Sequence, residues 1–175
     1  MRNLLLPILL LAATANGQYL ADNGKPDPAA DFFKAGERAY RAGDHATAVA
    51  AYSQAIEVDA GHLNSLLHRG LCLSILKDYE AAVADFNVVL ELRPEQAQAA
   101  ISRGSALSKL GRHAEAIADF DRVIAADPRN GEAFNNRGWA RKATGDMPGA
   151  CHDWKESKRT GNAEARIILQ NNRCK

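Results

Sequence analysis

Two kinds of apolar pattern follow one another along the chain. Leu4 to Ala13 is an apolar run broken only by Pro7, with no polar face. A polar stretch, QYLADNGKPDP, comes next. From about Ala29 to Glu164, small, apolar and polar positions then recur in a fixed order. Gly36, Gly70, Gly104 and Gly138 lie 34 residues apart each time. Twelve residues after each glycine stands an alanine: Ala48, Ala82, Ala116 or Ala150. Four further on comes an aromatic: Tyr52, Phe86, Phe120 or Trp154. Pro94 and Pro128 follow eight residues after their aromatics, with Ala60 and Asn162 in the matching places elsewhere. A period of this length marks a supersecondary unit repeated in tandem.

The spacing predicts two antiparallel helices per unit. Glycine and alanine at their crossing let the backbones approach, and the aromatic fills the neighbouring gap. Between the two helices stand Gly43-Asp44, Lys77-Asp78, Gly111-Arg112 and Gly145-Asp146. Glycine suits the left-handed residue that closes a helix, and aspartate the N-cap of the next. Arg93-Pro94 and Asp127-Pro128 interrupt the second helix before the following unit.

These residues resemble the tetratricopeptide repeat, a 34-residue helix-turn-helix with Gly, Ala, aromatic and Pro at set places. The chain departs from that pattern at Ala35, Arg69, Arg103 and Arg137, where leucine normally precedes the glycine, and at Ala39, Leu73, Leu107 and Arg141, where tyrosine is expected. The resemblance implies an all-α, right-handed superhelical solenoid of four units, 29–62, 63–96, 97–130 and 131–164. The last unit lacks its terminal proline and continues as TGNAEARIILQNNRCK. One more helix, about Ala163 to Asn172 within a C-terminal segment 163–175, is expected to cover the apolar end of the stack.

The resemblance also implies a concave groove lined by the first helix of each unit and occupied by a protein or peptide partner. Its groove positions fall on Phe33, Glu37, Tyr40 and Arg41 in the first unit and Asn64, Leu67, Leu71 and Ile75 in the second. The third contributes Gln98, Ile101, Ser105 and Lys109, and the fourth Asn135, Trp139 and Lys142. Phe33, Tyr40 and Trp139 are the expected aromatic anchors. Leu71, Ile75 and Ile101 read equally as groove or as core. Some members clamp acidic C-termini through Lys and Asn; the corresponding places here hold Phe33, Glu37 and Ser102.

Arg69, Arg103 and Arg137 share one repeat position, and Asp85, Asp119 and Asp153 another, which predicts ion pairs between packed helices. The stretch GACHDW, Gly149 to Trp154, sets a thiol, an imidazole and a carboxylate side by side. On a helix such neighbours point about 100° apart, so no triad is expected. Ala150, Asp153 and Trp154 are repeat positions, and only Cys151 departs, replacing Val49, Val83 and Ile117. Cys151 and Cys174 fall at similar heights on antiparallel helices. A disulfide between them would pin the C-terminal helix, with free thiols or another pairing as the alternatives. Cys72, in LCLSIL, reads as a buried hydrophobe.

His45 and His113 flank turns at one repeat position and read as solvated, while His62 and His68 straddle a helix start. No phosphate loop, metal-binding spacing or nucleophile motif is present. The expectation is therefore a non-enzyme without cofactor or metal. With 22 basic against 21 acidic residues, the balance gives no reason to expect nucleic acid. Arg2, the apolar run and Ala13-Thr14-Ala15 read as a cleaved signal at 1–15, with a second cut possible after Gly17, followed by a linker at 16–28. The run is too short to span a bilayer of about 30 Å. The expected product is a periplasmic or secreted scaffold. A self-assembling structural subunit is the alternative, and a thiol-based redox protein a further one.

Overall fold

The computed structural model describes residues 27–174. The expected leader and all but the end of the linker lie outside them. Among the described residues there are nine α-helices and no strands. They are α1 (Pro28–Arg41), α2 (His45–Val58), α3 (Leu63–Ile75), α4 (Tyr79–Leu92), α5 (Ala97–Lys109), α6 (His113–Ala126), α7 (Gly131–Ala143), α8 (Met147–Arg159) and α9 (Glu164–Asn171). Consecutive helices pack together, and α1, α3, α5 and α7 also touch in that order. The result is a solenoid in which the odd-numbered helices form one layer.

The turns obey the local chemistry read from the sequence. Gly43, Gly111 and Gly145 adopt φ values of 78°, 77° and 87°, and Lys77 takes the same left-handed conformation at φ 67°. Asp44, Asp78 and Asp146 then cap α2, α4 and α8 by accepting from the backbone N–H three residues on. Arg112, at the same place before α6, makes no such bond. The chain there keeps the turn without its capping carboxylate.

Each repeat glycine meets the ring four residues beyond its alanine. A methyl group built on Gly36 would stand 2.5 Å from the Tyr52 ring; on Gly70, 2.7 Å from Phe86; on Gly104, 2.8 Å from Phe120; on Gly138, 2.6 Å from Trp154. All four aromatics and all four alanines are fully buried. The glycine is therefore the space into which the ring packs, which is why the two types recur together.

The Arg–Asp pairs are formed within each unit. Arg69 donates through Nε and Nη2 to Asp85 at 2.8 and 2.7 Å, and Arg137 to Asp153 at 3.0 and 2.7 Å. Arg103 grips Asp119 in the same two-pronged way. The remaining nitrogen, Nη1, reaches back to the preceding unit, where Ser53, Asn87 and Asp121 accept in turn. Each arginine thus joins three helices. The bonds to Asp85 and Asp119 hold Arg69 and Arg103 above the ordinary guanidinium range. At Arg137, burial pulls downward, but the bonds to Asp153 and Asp121 outweigh it. The first unit has Ala35 and Ala51 at these two positions and no rung.

Helix α9 lies on α8, with Ala165 fully buried. Ser157 donates to the Gly131 carbonyl and accepts from the Asn162 amide, fixing the turn that leads into it. The sulfurs of Cys151 and Cys174 are joined, with Cα atoms 5.5 Å apart, which matches the pairing the spacing suggested. Cys72 is fully buried, and burial pushes its thiol above the usual range. Within GACHDW, Ala150, Asp153 and Trp154 are buried. His152 faces solvent yet comes within 3.6 Å of Asp153, closer than helical divergence alone suggests. Asp153 is already engaged by Arg137 and Arg141, and Cys151 by Cys174. Among the described residues no helix is long and apolar enough to cross a membrane.

Candidate partner-binding groove

The groove positions do not behave alike. At the α1 end, Phe33 is half-buried, with ring centroids 5.7 Å from Tyr52, 5.4 Å from His62 and 5.5 Å from His68. It is part of an aromatic cluster and not a free anchor. Tyr40 is exposed at its edge, beside His45 and His68. Glu37 accepts from the exposed Arg41 at 3.4 Å. Burial holds His68 below the ordinary imidazole range, against the opposing pull of Glu37. Burial likewise pushes the Tyr52 phenol up to about 12. His62 caps α3, its Nδ1 accepting from the Ser65 N–H at 3.2 Å.

The second unit corrects one assignment. Leu67 is only 4% exposed and packs in the main core, among Leu66, Ala82 and Phe86. It lies a helical turn before Leu71 and points below the groove. Asn64 is exposed at the joint between units, in a recess with His62, Arg93 and Gln96. Gln98 is exposed and lines none of the recesses described here.

Two adjoining cavities carry the groove through the middle of the stack. One, about 300 Å³, has Ile101 as its floor (7% exposed), with Leu71, Ile75, Tyr79 and Ser74 on one wall and Ser102, Ser105, Lys109 and Glu132 on the other. The next, about 270 Å³, is lined by Ser105, Ser108, Lys109, His113, Asn136, Trp139 and Ala140, over Phe120. Ser105 and Lys109 border both. Ile75 and Trp139 are 49% and 43% exposed at the two mouths, large apolar surfaces that the fold leaves uncovered. Ser105 accepts weakly from Asn136 at 3.4 Å. Asn135 is half-buried, and its Oδ1 has no partner among the described residues.

Trp139 packs edge-on against Trp154 at 5.1 Å, and the Lys142 ammonium lies 5.0 Å from its ring centroid. Lys142 also donates to Asn172 Oδ1 at 2.6 Å, tying the groove to the helix that closes the stack. The repeat-position reading of His113 as solvated is corrected. It is half-buried against the second cavity, His45 is likewise half-buried, and the Nδ1 atoms of both have no partner among the described residues. Tyr79, at the same position one unit earlier, lines the first cavity. Both sit at the start of a second helix, so a search confined to first helices misses them. Their 34-residue separation, shared by Ser74 and Ser108, was the available signal.

The sequence profile of the tetratricopeptide repeat matches residues 33–97 and 101–154. The chain belongs to the tetratricopeptide repeat family. Solved structures of similar fold agree with this. A fragment titled MamA 41-end, from Desulfovibrio magneticus RS-1, superposes with a TM-score of 0.75 at 21% identity, covering 85% of this chain and 89% of its own. An RS-1 MamA double mutant gives 0.73 at 24% identity, over 78% and 76% of the two chains. The first tetratricopeptide domain of Spaghetti (RPAP3), bound to the HSP90 peptide SRMEEVD, gives 0.66 at 24%, over 69% of this chain and 96% of that one. At these identities the likeness is one of fold. Comparison with curated proteins found no match. Tetratricopeptide repeats are generally non-catalytic protein-interaction scaffolds.

Proposed function

We propose that this tetratricopeptide protein is a non-catalytic scaffold that holds an extended peptide segment of a protein partner along α3, α5 and α7. The observation that carries the reading is the pair of contiguous cavities sharing Lys109, with Ile75 and Trp139 uncovered at their mouths. Apolar side chains of the partner enter the two cavities. The serines and Asn136 meet its backbone, and Lys109 meets a carboxylate. Uncovered aromatic and aliphatic surface beside a few polar groups is the usual composition of a peptide-binding hot spot. The RPAP3 domain of similar fold is bound to an HSP90 peptide, which supports a peptide as the kind of partner. The charge clamp expected for such acidic C-termini is replaced here by Phe33, Glu37 and Ser102, so the partner's chemistry differs.

The site of action we propose is outside the cytoplasm. The leader-like residues Arg2 to Ala15 and the paired Cys151 and Cys174 both support it. The N-terminal sequence of the mature protein checks the leader. A start at Asn16 or Gln18 is expected, and an intact Met1 in the exported fraction contradicts it.

Crosslinking in the native compartment, followed by capture, compares the wild type with Ile75→Asn/Trp139→Ala. Both side chains are about half exposed, and helical circular dichroism checks that the variant keeps the stack. Recovery of the same partners by both proteins overturns the groove reading. Self-assembly is the second reading, favoured by Val58 and Leu92, both more than half exposed at one repeat position of successive units. A mass by light scattering that rises with concentration, and falls for Val58→Ser/Leu92→Ser, would support it.

A further inference from the structure

We propose that the Cys151–Cys174 disulfide is a redox latch on the Trp139 end of the groove, acting through Asn172 and Lys142. Helix α9 has eight residues and buries only Ala165, and a helix this short does not hold itself together in water. Its last turn is bent back by Arg173 at φ 53°, a left-handed conformation that non-glycine residues seldom adopt. The Cys174 N–H then donates to the Leu169 carbonyl. Two residues before the cysteine, Asn172 is aimed by its own turn. Its Nδ2 donates to the Ile168 carbonyl at 2.8 Å, which leaves Oδ1 to accept from Lys142 at 2.6 Å. Lys142 in turn lies over Trp139, the mouth of the second cavity. A continuous set of contacts therefore runs from the disulfide to the groove.

A separate cavity of about 480 Å³ is lined by Cys151 and Cys174 together with Met147, Pro148 and His152. It gives an external dithiol a route to the bond. The thiolate of that dithiol attacks one sulfur, breaking the S–S bond and forming a mixed disulfide; its second thiol then resolves the intermediate. Two electrons and two protons pass to Cys151 and Cys174, which become thiols, and the dithiol leaves as a disulfide. Without the cross-link, the left-handed turn at Arg173 is held only by local bonds such as Cys174 N–H to the Leu169 carbonyl and Asn172 Nδ2 to the Ile168 carbonyl, and the hold of Asn172 on Lys142 loosens. The freed ammonium joins Lys109 at the groove, so the reduced form favours a partner carrying a negative charge beside Trp139. This consequence for the ligand rests on the groove reading; the latch itself does not.

The test is lysine reactivity, which needs no ligand. Oxidised and dithiothreitol-reduced protein are pulsed with an acetylating ester, and Lys142 is compared with Lys109 by peptide mass spectrometry. Losing this solvent-exposed hydrogen bond raises Lys142 acylation roughly three- to ten-fold on reduction, with Lys109 unchanged. Asn172→Ala shows the same rise with the disulfide intact. Equal Lys142 rates in the two redox states, an Asn172→Ala rate like the wild type, or a parallel rise at Lys109 overturns the proposal. So does purified protein whose Cys151 and Cys174 both alkylate without reduction. Peptide titrations judge the groove separately.

Discussion

Gly104→Ala separates the two opposite effects that a methyl group has at a repeat glycine. Gly104 lies in the interior of α5, where alanine is worth about 1 kcal/mol of helix propensity over glycine. The new Cβ would lie 2.8 Å from both Cε1 and Cζ of Phe120 and 3.3 Å from the Ala116 carbonyl oxygen. Phe120 is fully buried in the main core beneath the second cavity, so its ring has little room to move. Overpacking of this kind costs about 1–3 kcal/mol. Two ring atoms inside 3.0 Å, with a backbone atom behind them, place this site in the upper half of that range. The net expectation is a loss of about 1–2 kcal/mol. Guanidinium denaturation followed by helical circular dichroism measures it as a lowered midpoint at unchanged slope. Gly104→Ala/Phe120→Leu makes room for the methyl, and falls short of the sum of its single changes by at least about 0.5 kcal/mol. A Gly104→Ala protein more stable than the wild type would refute the packing argument. Strict additivity in the double variant would do the same.

Lys77 holds the left-handed turn that glycine occupies in the other three units; Lys77→Gly should raise stability by about 0.5–1 kcal/mol, and a lowered denaturation midpoint would count against the turn analysis. Asp119→Ala leaves the Arg103 guanidinium without its carboxylate, and Arg103→Ala leaves the nearly buried Asp119 with the more exposed Arg122, each at about 2–3 kcal/mol. The exchanged pair Arg103→Asp/Asp119→Arg recovers part of this but not all, because Arg122 also pairs with Asp119; no recovery would mean that the rung does not act as a pair. His68 is held below its ordinary value by burial. The unfolded chain therefore takes up this proton first as pH falls. The contribution is complete above about pH 6.5 and is lost as pH falls through the lower folded-state value. His68→Leu should flatten the acid limb of a stability–pH series, and an unchanged limb would remove His68 as its source.

What was legible in the sequence was whatever repeats. Gly70 meets Phe86 for the same reason that Gly104 meets Phe120, so the period itself reports a contact. The arginine rungs were readable on the same grounds, because identical units give identical surroundings. Helix lengths suggested the Cys151–Cys174 pairing but left free thiols or another pairing open. Depth along the groove was not. Leu67 and Leu71 are both leucines one turn apart, and only the way α3 meets α4 and α5 decides that the first is core and the second is wall. His113 was misjudged because its neighbour, Trp139, belongs to the next unit. Phe33 reads as an anchor until its histidine neighbours are seen around it. The hold of Asn172 on Lys142 depends on α9, which lies outside the four repeat units.

The account stands most directly on whether peptides bind at the two central cavities. Peptides selected from a random display library on the wild-type protein should be titrated calorimetrically against Ile75→Asn/Trp139→Ala and against Val58→Ser/Leu92→Ser, whose changes lie on the even-numbered helices. The account predicts that the first variant loses at least about ten-fold in affinity, as expected when hot-spot side chains are removed, and that the second binds as the wild type does. Equal binding by all three proteins, or a loss confined to the second variant, would contradict it.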